Sequence, residues 1–323
     1  MSRSAILLVG GMGTRLHPIT LNIPKPMLPV AGIPFTEHQI VKAREAGIDE
    51  IVLATSFKAE LFEPYFGNGE NFDISIRYAV EETPLGTGGA IRNAAKMLSG
   101  DGLIAIFNGD VLSGHDLEGQ FKFHQETGAD VSLFLTEVSD ARSFGAVELD
   151  DENRVIAFNE KMDNPPTNII NAGCYIFNKD IIYKIPDGKV VSVERETFPN
   201  FLREGVRVFG FIDNSYWLDI GNPSALLQAT KDLISGKAIS AATPQRNKGA
   251  VILSGAVVDP SAKIFNGSVI GANCQVGARA VIDNSILFDG CQVGADVEIS
   301  SSFVAKDFKI PNGVIGISNF FGF

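Results

Sequence analysis

Through the first two thirds of the chain, short apolar runs alternate with stretches of helical period. "AILLV" from Ala5, "EIVLAT" from Glu50, "ISIRYAV" from Ile74 and "LIAIFNG" from Leu103 predict strands. Between them, Phe35 to Ala46 (closed by Gly47), the segment around Ala59 to Phe66, and Gly88 to Leu98 predict helices. Strands separated by helices of this length require crossover connections, and so imply a mainly parallel sheet covered on both faces. Beyond Asp130 the runs "VSLFLTEV", "GAVELD", "RVIAFNEK" and "NAGCYIF" predict a strand-rich, mixed extension of that sheet. The expected class is α/β, Rossmann-like, with helices on both faces.

A different rhythm starts near Ala250. Ile252, Val258, Ile264, Ile270, Val276, Ile282 and Phe288 recur at every sixth position, and after a one-residue slip Val293 and Ile299 continue the series. A period of six suits neither a helix nor an alternating strand. It suits a triangular parallel β-helix, in which each flat side takes one hexapeptide and turns one apolar residue inward. The polar, interrupted stretch "LISGKAISAATPQRNKG" lies between the two patterns. The expected division is a first domain of residues 1–235, a linker of 236–249 and a β-helix of 250–323.

The chain of 323 residues carries a formal charge of −11, which argues against nonspecific attachment to nucleic acid or an anionic membrane. A protein this acidic that handles phosphates must gather its cations locally or use a metal ion. Cys174, Cys274 and Cys291 show no CxxC spacing, so neither a disulfide framework nor a zinc site is expected. The run from Ala5 to Val9 is too short for a secretory signal or a membrane span, and a cytoplasmic location is the expectation.

Chemistry enters with "LLVGGMGTRLHPITLNIPKPMLPV", from Leu7 to Val30. The loop Gly10, Gly11, Gly13 follows a strand directly, at the carboxyl end of the sheet where open α/β folds place ligands. Glycines let backbone N–H groups approach an oxyanion closely. Arg15 can meet phosphate oxygens as a two-pronged donor, and Lys25, held between two prolines, adds a point charge. No lysine follows the glycines in P-loop register, and Leu16 stands where a dinucleotide fingerprint needs its third glycine. A plain strand-to-helix turn with a surface arginine is the alternative. Asp110 ends "LIAIFNGD" where a carboxylate can hold Mg²⁺; capping the next helix is its alternative role. Asp219, after the aromatic run in "YWLDIG", is placed in the same manner.

Taken in order, "LLVGGMGTRLHPIT…PKPMLPV", "EETPLGTGGA", "FNGDV", "FGAVELD", "FNEK", "NAGCYIF" and "YWLDIGNP" resemble the motifs of the sugar-1-phosphate nucleotidyltransferases, over Ala5 to about Ala229. The guanylyltransferase branch acting on mannose 1-phosphate is the nearest match. The hexapeptide tail is similar to the left-handed β-helix that many members carry. The resemblance implies an enzyme that joins a nucleoside triphosphate to a sugar 1-phosphate with release of pyrophosphate. GTP and mannose 1-phosphate are the first expectation, giving GDP-mannose. A manno-heptose 1-phosphate, or thymidylyl or uridylyl transfer to glucose 1-phosphate, are the alternatives. A silent regulatory subunit that binds nucleotide sugar would have lost a gripping cation or a metal carboxylate, whereas this chain keeps them. An acyltransferase function in the tail lacks its histidine base, since no histidine follows His124. The tail is expected to serve assembly, in a homo-oligomer.

Carried residue by residue, the resemblance places the nucleotide on Leu8, Val9, Gly10, Gly11, Gly13, Thr14, Arg15, Lys25, Glu81, Gly86, Thr87 and Asp110. It makes Asp110 and Asp219 ligands of one shared Mg²⁺. Lys161 would grip the sugar phosphate and Glu160 its hydroxyls, with Asn171, Gly173 and Gly145 around the sugar. Arg15, Lys25, Asp110, Lys161 and Asp219 form the catalytic set. Glu81 falls where thymidylyl-transferring members carry glutamine. A carboxylate there accepts the adjacent N1–H and N2–H of guanine, which argues for that base, with Glu82 as second choice. Val9, in place of the alanine of "LAGG" relatives, points the same way. The closing aromatics of "ISNFFGF" are expected to dock on the chain's own body or on a neighbouring subunit.

Overall fold

A computed structural model describes residues 2–323. By its contacts the chain forms two compact units, Met1–Gly11 with Gln39–Trp217, and Met12–His38 with Leu218–Phe323.

The first unit is built on a nine-stranded sheet. Its elements are β1 (Arg3–Leu8), α1 (Phe35–Glu45, whose first turn belongs to the other unit), β2 (Glu50–Thr55), β3 (Ser75–Val80), α2 (Gly86–Ala95), β4 (Leu103–Asn108), β5 (Val111–Ser113), α3 (Leu117–Glu126), β6 (Val131–Glu137), β7 (Gly145–Leu149), β8 (Val155–Glu160), β9 (Ile169–Asn178) and β10 (Val208–Ile212). The order across the sheet is β8-β7-β9-β4-β1-β2-β3, with β6 on β9 and β10 on β6. Strands β4, β1, β2 and β3 run parallel, and the Asp130-onward strands supply the antiparallel part, as the mixed pattern predicts. Ala5, Ile6 and Leu7 are fully buried, which is why the first strand reads as an unbroken apolar run. A core of Ile6, Ile104, Ile106, Leu133, Tyr175, Phe177 and Phe198 fills one side.

The predicted helices sit close to their expected limits. The Ala59–Phe66 segment is broken into a 3₁₀ turn, Ala59–Leu61, and one α-turn, Glu63–Phe66, because Pro64 cannot continue an earlier helix. Helix α3 was not foreseen. Its N-cap is Asp116, which accepts the Gly119 amide at 2.9 Å, so Asp110 caps no helix and is followed by strand β5.

In the second unit, residues 250–252, 257–258 and 263–265 open three parallel ladders to which each later coil adds one strand, the arrangement of a β-helix. Ile252, Val258, Ile264, Ile270, Val276 and Ile282 line its interior as expected. Phe288 does not. Leu287 takes the inward position instead, then Val293, Ile299, Val304 and Ile310. The physical reason is a shortened side: Val257 pairs with Gln275, eighteen residues on, whereas Gln275 pairs with Gln292, only seventeen on. Phe288 is turned out against Phe323, with ring centroids 5.7 Å apart. Phe321 packs against the β-helix core and Phe320 stacks on Phe303 at 5.5 Å, so the closing aromatics dock on the chain itself. Helix α4 (Pro223–Ser235) packs on this unit at Gly267, where a side chain would collide with Lys231.

Candidate active site

The register of the first unit brings the expected residues to one edge of the sheet. Leu8 pairs with Asn108, and the Gly109 amide donates to the Leu8 carbonyl at 3.0 Å, so Val9–Gly11 and Asp110 leave adjacent strand ends. Gly10 is kept bare by Ser56, whose hydroxyl donates to its carbonyl at 2.7 Å. Strand β9 enters from the same edge, and its register on β6 slips between Asn171 and Tyr175. Gly173 sits in that bulge at φ 81, its bare face against Asn108. The Asn171 amide donates to the Tyr175 hydroxyl at 2.9 Å, while its carbonyl accepts the Gly173 amide at 3.2 Å.

Gly145 pairs with Glu160 on the neighbouring strands. A Cβ on Gly145 would lie 2.8 Å from Glu160 Oε2 and 2.9 Å from the Phe158 ring, so this glycine makes room for Glu160. Burial pushes the Glu160 carboxyl up, partly offset by Lys161, whose Nζ lies 3.5 Å away. Lys161 is exposed and left-handed at φ 52, an unusual conformation for a residue with a side chain; its amide donates to the Phe144 carbonyl at 3.1 Å.

Glu81 follows β3, with its amide on the Thr55 carbonyl. Its Oε2 accepts the Leu85 amide at 3.0 Å, while Oε1 is buried without a hydrogen-bond partner. Burial raises its carboxyl, the Leu85 bond opposing. Glu82 is exposed. Gly86, at φ 71, turns its bare face to the Val191 carbonyl. The Thr87 hydroxyl donates to Glu194 at 2.8 Å and accepts the Val193 amide at 2.8 Å, so both residues fasten the 191–194 segment to this loop.

The second unit gathers the remaining cations. Gly13, left-handed at φ 62, starts the 3₁₀ turn Thr14–Leu16, and a Cβ there would lie 2.9 Å from Lys25 Cβ. Its carbonyl accepts the Thr20 hydroxyl at 2.9 Å. Lys25 is flanked by buried Pro24 and Pro26 and keeps only 11% of its side chain exposed. Its Nζ lies 4.0 Å from Asp219 Oδ1. A Cβ on Gly221 would meet Asp219 Oδ2 at 3.0 Å and both terminal nitrogens of Arg15 at 3.2 Å. Arg15, Lys25 and Asp219 therefore converge.

Several residues escaped the sequence reading. The Asn108 amide carbonyl, Oδ1, is buried and unpartnered beside the Asp110 strand end. Trp217 Nε1 donates to the Ala172 carbonyl at 3.0 Å and so pins the Asn171–Gly173 turn, and Phe144 meets the Trp217 ring edge-on at 5.3 Å. His38, His115 and His124 each meet a serine hydroxyl through Nδ1, Ser240 at 2.8 Å, Ser113 at 2.9 Å and Ser132 at 3.0 Å, but all three rings are buried and held down in pKa chiefly by desolvation. The three cysteines are free and buried.

Residues 4–236 match the nucleotidyl transferase family model, and residues 247–317 the GMPPB C-terminal domain. The chain belongs to the nucleotidyl transferase family. Within it, the chain is 46% identical over 283 residues to a mannose-1-phosphate guanylyltransferase of Mycobacterium tuberculosis, covering 87% of this chain and 79% of that one. It is 38% identical to a D-glycero-alpha-D-manno-heptose 1-phosphate guanylyltransferase of Aneurinibacillus thermoaerophilus, over 71% of this chain and 97% of that one. The crystal structure of HddC from Yersinia pseudotuberculosis superposes with a TM-score of 0.60 at 30% identity, over 71% of this chain and 98% of that chain.

Nucleotidyltransferases of this family generally use a divalent metal. The donors here fit a hard cation. Asp110 and the orphaned Asn108 Oδ1 offer oxygen only, and among the described residues no three of His, Cys, Asp or Glu cluster. An ion bound with so few protein ligands completes its shell with phosphate oxygens and water. Among the described residues no helix is long and apolar enough to cross a membrane.

Proposed function

We propose that the chain transfers GMP from GTP to mannose 1-phosphate. An oxygen of the sugar phosphate attacks the α-phosphorus in line, the bond from that phosphorus to the bridging β-phosphate oxygen breaks, and pyrophosphate leaves with GDP-mannose formed. The nucleophile is already an anion near neutral pH, so no general base is needed. The barrier is repulsion between anions and the charge gathered on the five-coordinate phosphorus, and fixed donors lower it.

In this reading Leu8 to Gly11, Gly13 and Thr14 lie along the nucleotide, with Arg15 and Lys25 on its phosphates. Lys161 takes the sugar phosphate, and Glu160 and Asn171 the sugar hydroxyls. Asp110 and Asp219 are the carboxylates assigned to Mg²⁺. That ion, when bound, supplies Lewis-acid charge neutralisation at the reacting phosphates.

The observation that carries the choice of base is Glu81, whose buried Oε1 lacks a partner while Oε2 retains a second lone pair. Guanine presents two adjacent donors that such a carboxylate satisfies. Mannose is favoured over a manno-heptose because the mannose-1-phosphate relative matches 87% of the chain and the heptose relative 71%. The same reading takes residues 1–235 as catalytic, 236–249 as linker and 250–323 as an assembly module of a cytoplasmic homo-oligomer. Mixing the protein with Mg²⁺, GTP and mannose 1-phosphate should release pyrophosphate and GDP-mannose in equal amounts; a heptose phosphate turned over faster than mannose 1-phosphate would reverse the sugar assignment.

A further inference from the structure

Two side chains one turn apart on α1 grip the segment that bears Asp110. Gln39 Nε2 donates to the Asn108 carbonyl at 2.7 Å. Lys42 Nζ donates to the Ser113 carbonyl at 2.8 Å, to the Ser113 hydroxyl at 3.2 Å and to His115 Nδ1 at 2.9 Å. Asp110 lies between the two anchored carbonyls, on a stretch where the chain leaves β4, turns and enters β5. Helix spacing is what allows this: residues three apart share a face. Gln39 is 5% exposed and its own Oε1 finds no partner, so it is buried at a cost for the sake of one donated bond. Lys42 is a half-buried ammonium beside His115, whose ring stacks on Phe134 at 4.0 Å and holds Nδ1 toward it. A helix that only had to cover the sheet would place apolar side chains at both positions.

We propose that Gln39 and Lys42 are positioning residues that fix the Asp110 carboxylate for a divalent cation. The inference rests on the reading of Asp110 as a metal ligand. A ligand's outer supports commonly matter to metal affinity by about 10- to 100-fold. Here the support acts through the backbone: two fixed carbonyls leave the Asn108–Ser113 segment one path, and the Asp110 side chain one direction.

The test compares wild type with Gln39→Met, Lys42→Met and Lys42→Arg, which retains a donor. Binding of Mn²⁺ alone, followed by loss of the free-ion EPR signal, is read beside the Mg²⁺ dependence of turnover and thermal unfolding. Both methionine variants should bind Mn²⁺ about tenfold more weakly and need about tenfold more Mg²⁺ for half-maximal rate, the rate recovering at high Mg²⁺ and Lys42→Arg lying between them and wild type. Should a methionine variant fail to fold, Gln39→Asn, too short to reach Asn108, is read in its place. Folded variants with unchanged Mn²⁺ affinity, or a wild type that binds no Mn²⁺, overturn the proposal. A wild type that binds Mn²⁺ through Gln39 and Lys42 yet makes no GDP-mannose would overturn the functional reading and leave this one standing.

Discussion

Glu81 gives one carboxylate oxygen to the Leu85 amide, at 3.0 Å, and keeps the other buried and unpartnered. A bond to a charged acceptor is worth about 1.5–3 kcal/mol, so Glu81→Gln should lower kcat/KM for GTP roughly 10- to 100-fold and improve dTTP relative to GTP. The fold should survive, because the amide oxygen of glutamine can still accept from Leu85. Only the ionised carboxyl accepts both guanine donors, and burial raises its pKa. The KM for GTP should therefore climb as pH falls toward a value above the usual carboxylate range, and this acid limb should be missing in Glu81→Gln. Equal limbs in the two proteins would contradict the role.

Lys25 and Asp219, separated by most of the catalytic sequence, face each other at 4.0 Å with most of both side chains covered. That spacing is the outer limit of an ion pair, and asparagine keeps the shape and one acceptor oxygen at position 219. Asp219→Asn should thus unfold near the wild-type temperature while losing about 100-fold or more in rate, the scale expected when a preorganised charge is removed from a reacting phosphate. A large drop in unfolding temperature with little loss of rate would make the pair a structural one.

Gly13 is required twice over, by its left-handed backbone and by its approach to Lys25. Gly13→Ala should cost about 1–2 kcal/mol through backbone conformation. Its larger effect should fall on turnover, by displacing Lys25. Chemical denaturation beside steady-state kinetics separates the two.

Lys42 offers a check on stability against pH. Burial lowers its pKa from 10.5 to about 8, against the opposing pull of Cys174, Asp213 and Asp116, with His115 beside it. Between those values the unfolded chain holds a proton that the folded chain has released, so stability rises with pH across that window, and the burial cost is fully present below it. Relative to Lys42→Met, wild type should gain roughly 1–2 kcal/mol in urea unfolding between about pH 7.5 and 9.5. A gain confined to lower pH would contradict the assignment.

Both folding patterns were legible because each obeys a local rule. A parallel strand such as β1 is buried on two faces and shows as a run like Ala5–Leu7, and each β-helix side needs one inward residue, as Val258, Ile264 and Ile270 show. The one-residue slip was legible but its place was not, since nothing local distinguishes an inward Leu287 from an inward Phe288. Asp110 could be singled out because it ends an apolar run, and Glu81 because of its place in the motif that carries the family resemblance. Gln39, Lys42, Asn108 and Trp217 could not: their partners are Asn108, Ser113, Gln39 and Ala172, which only the strand register and the helix placement bring near. Thr87 shows the same limit from the other side, since a residue expected along the nucleotide has its hydroxyl engaged by Glu194 and Val193.

The most direct test follows pyrophosphate release with mannose 1-phosphate and Mg²⁺ while GTP, dTTP, UTP and ATP are offered one at a time. GTP should be used with the highest kcat/KM, by about tenfold or more over each of the others. Preference for dTTP or UTP, or no release with any of the four, would contradict guanylyl transfer.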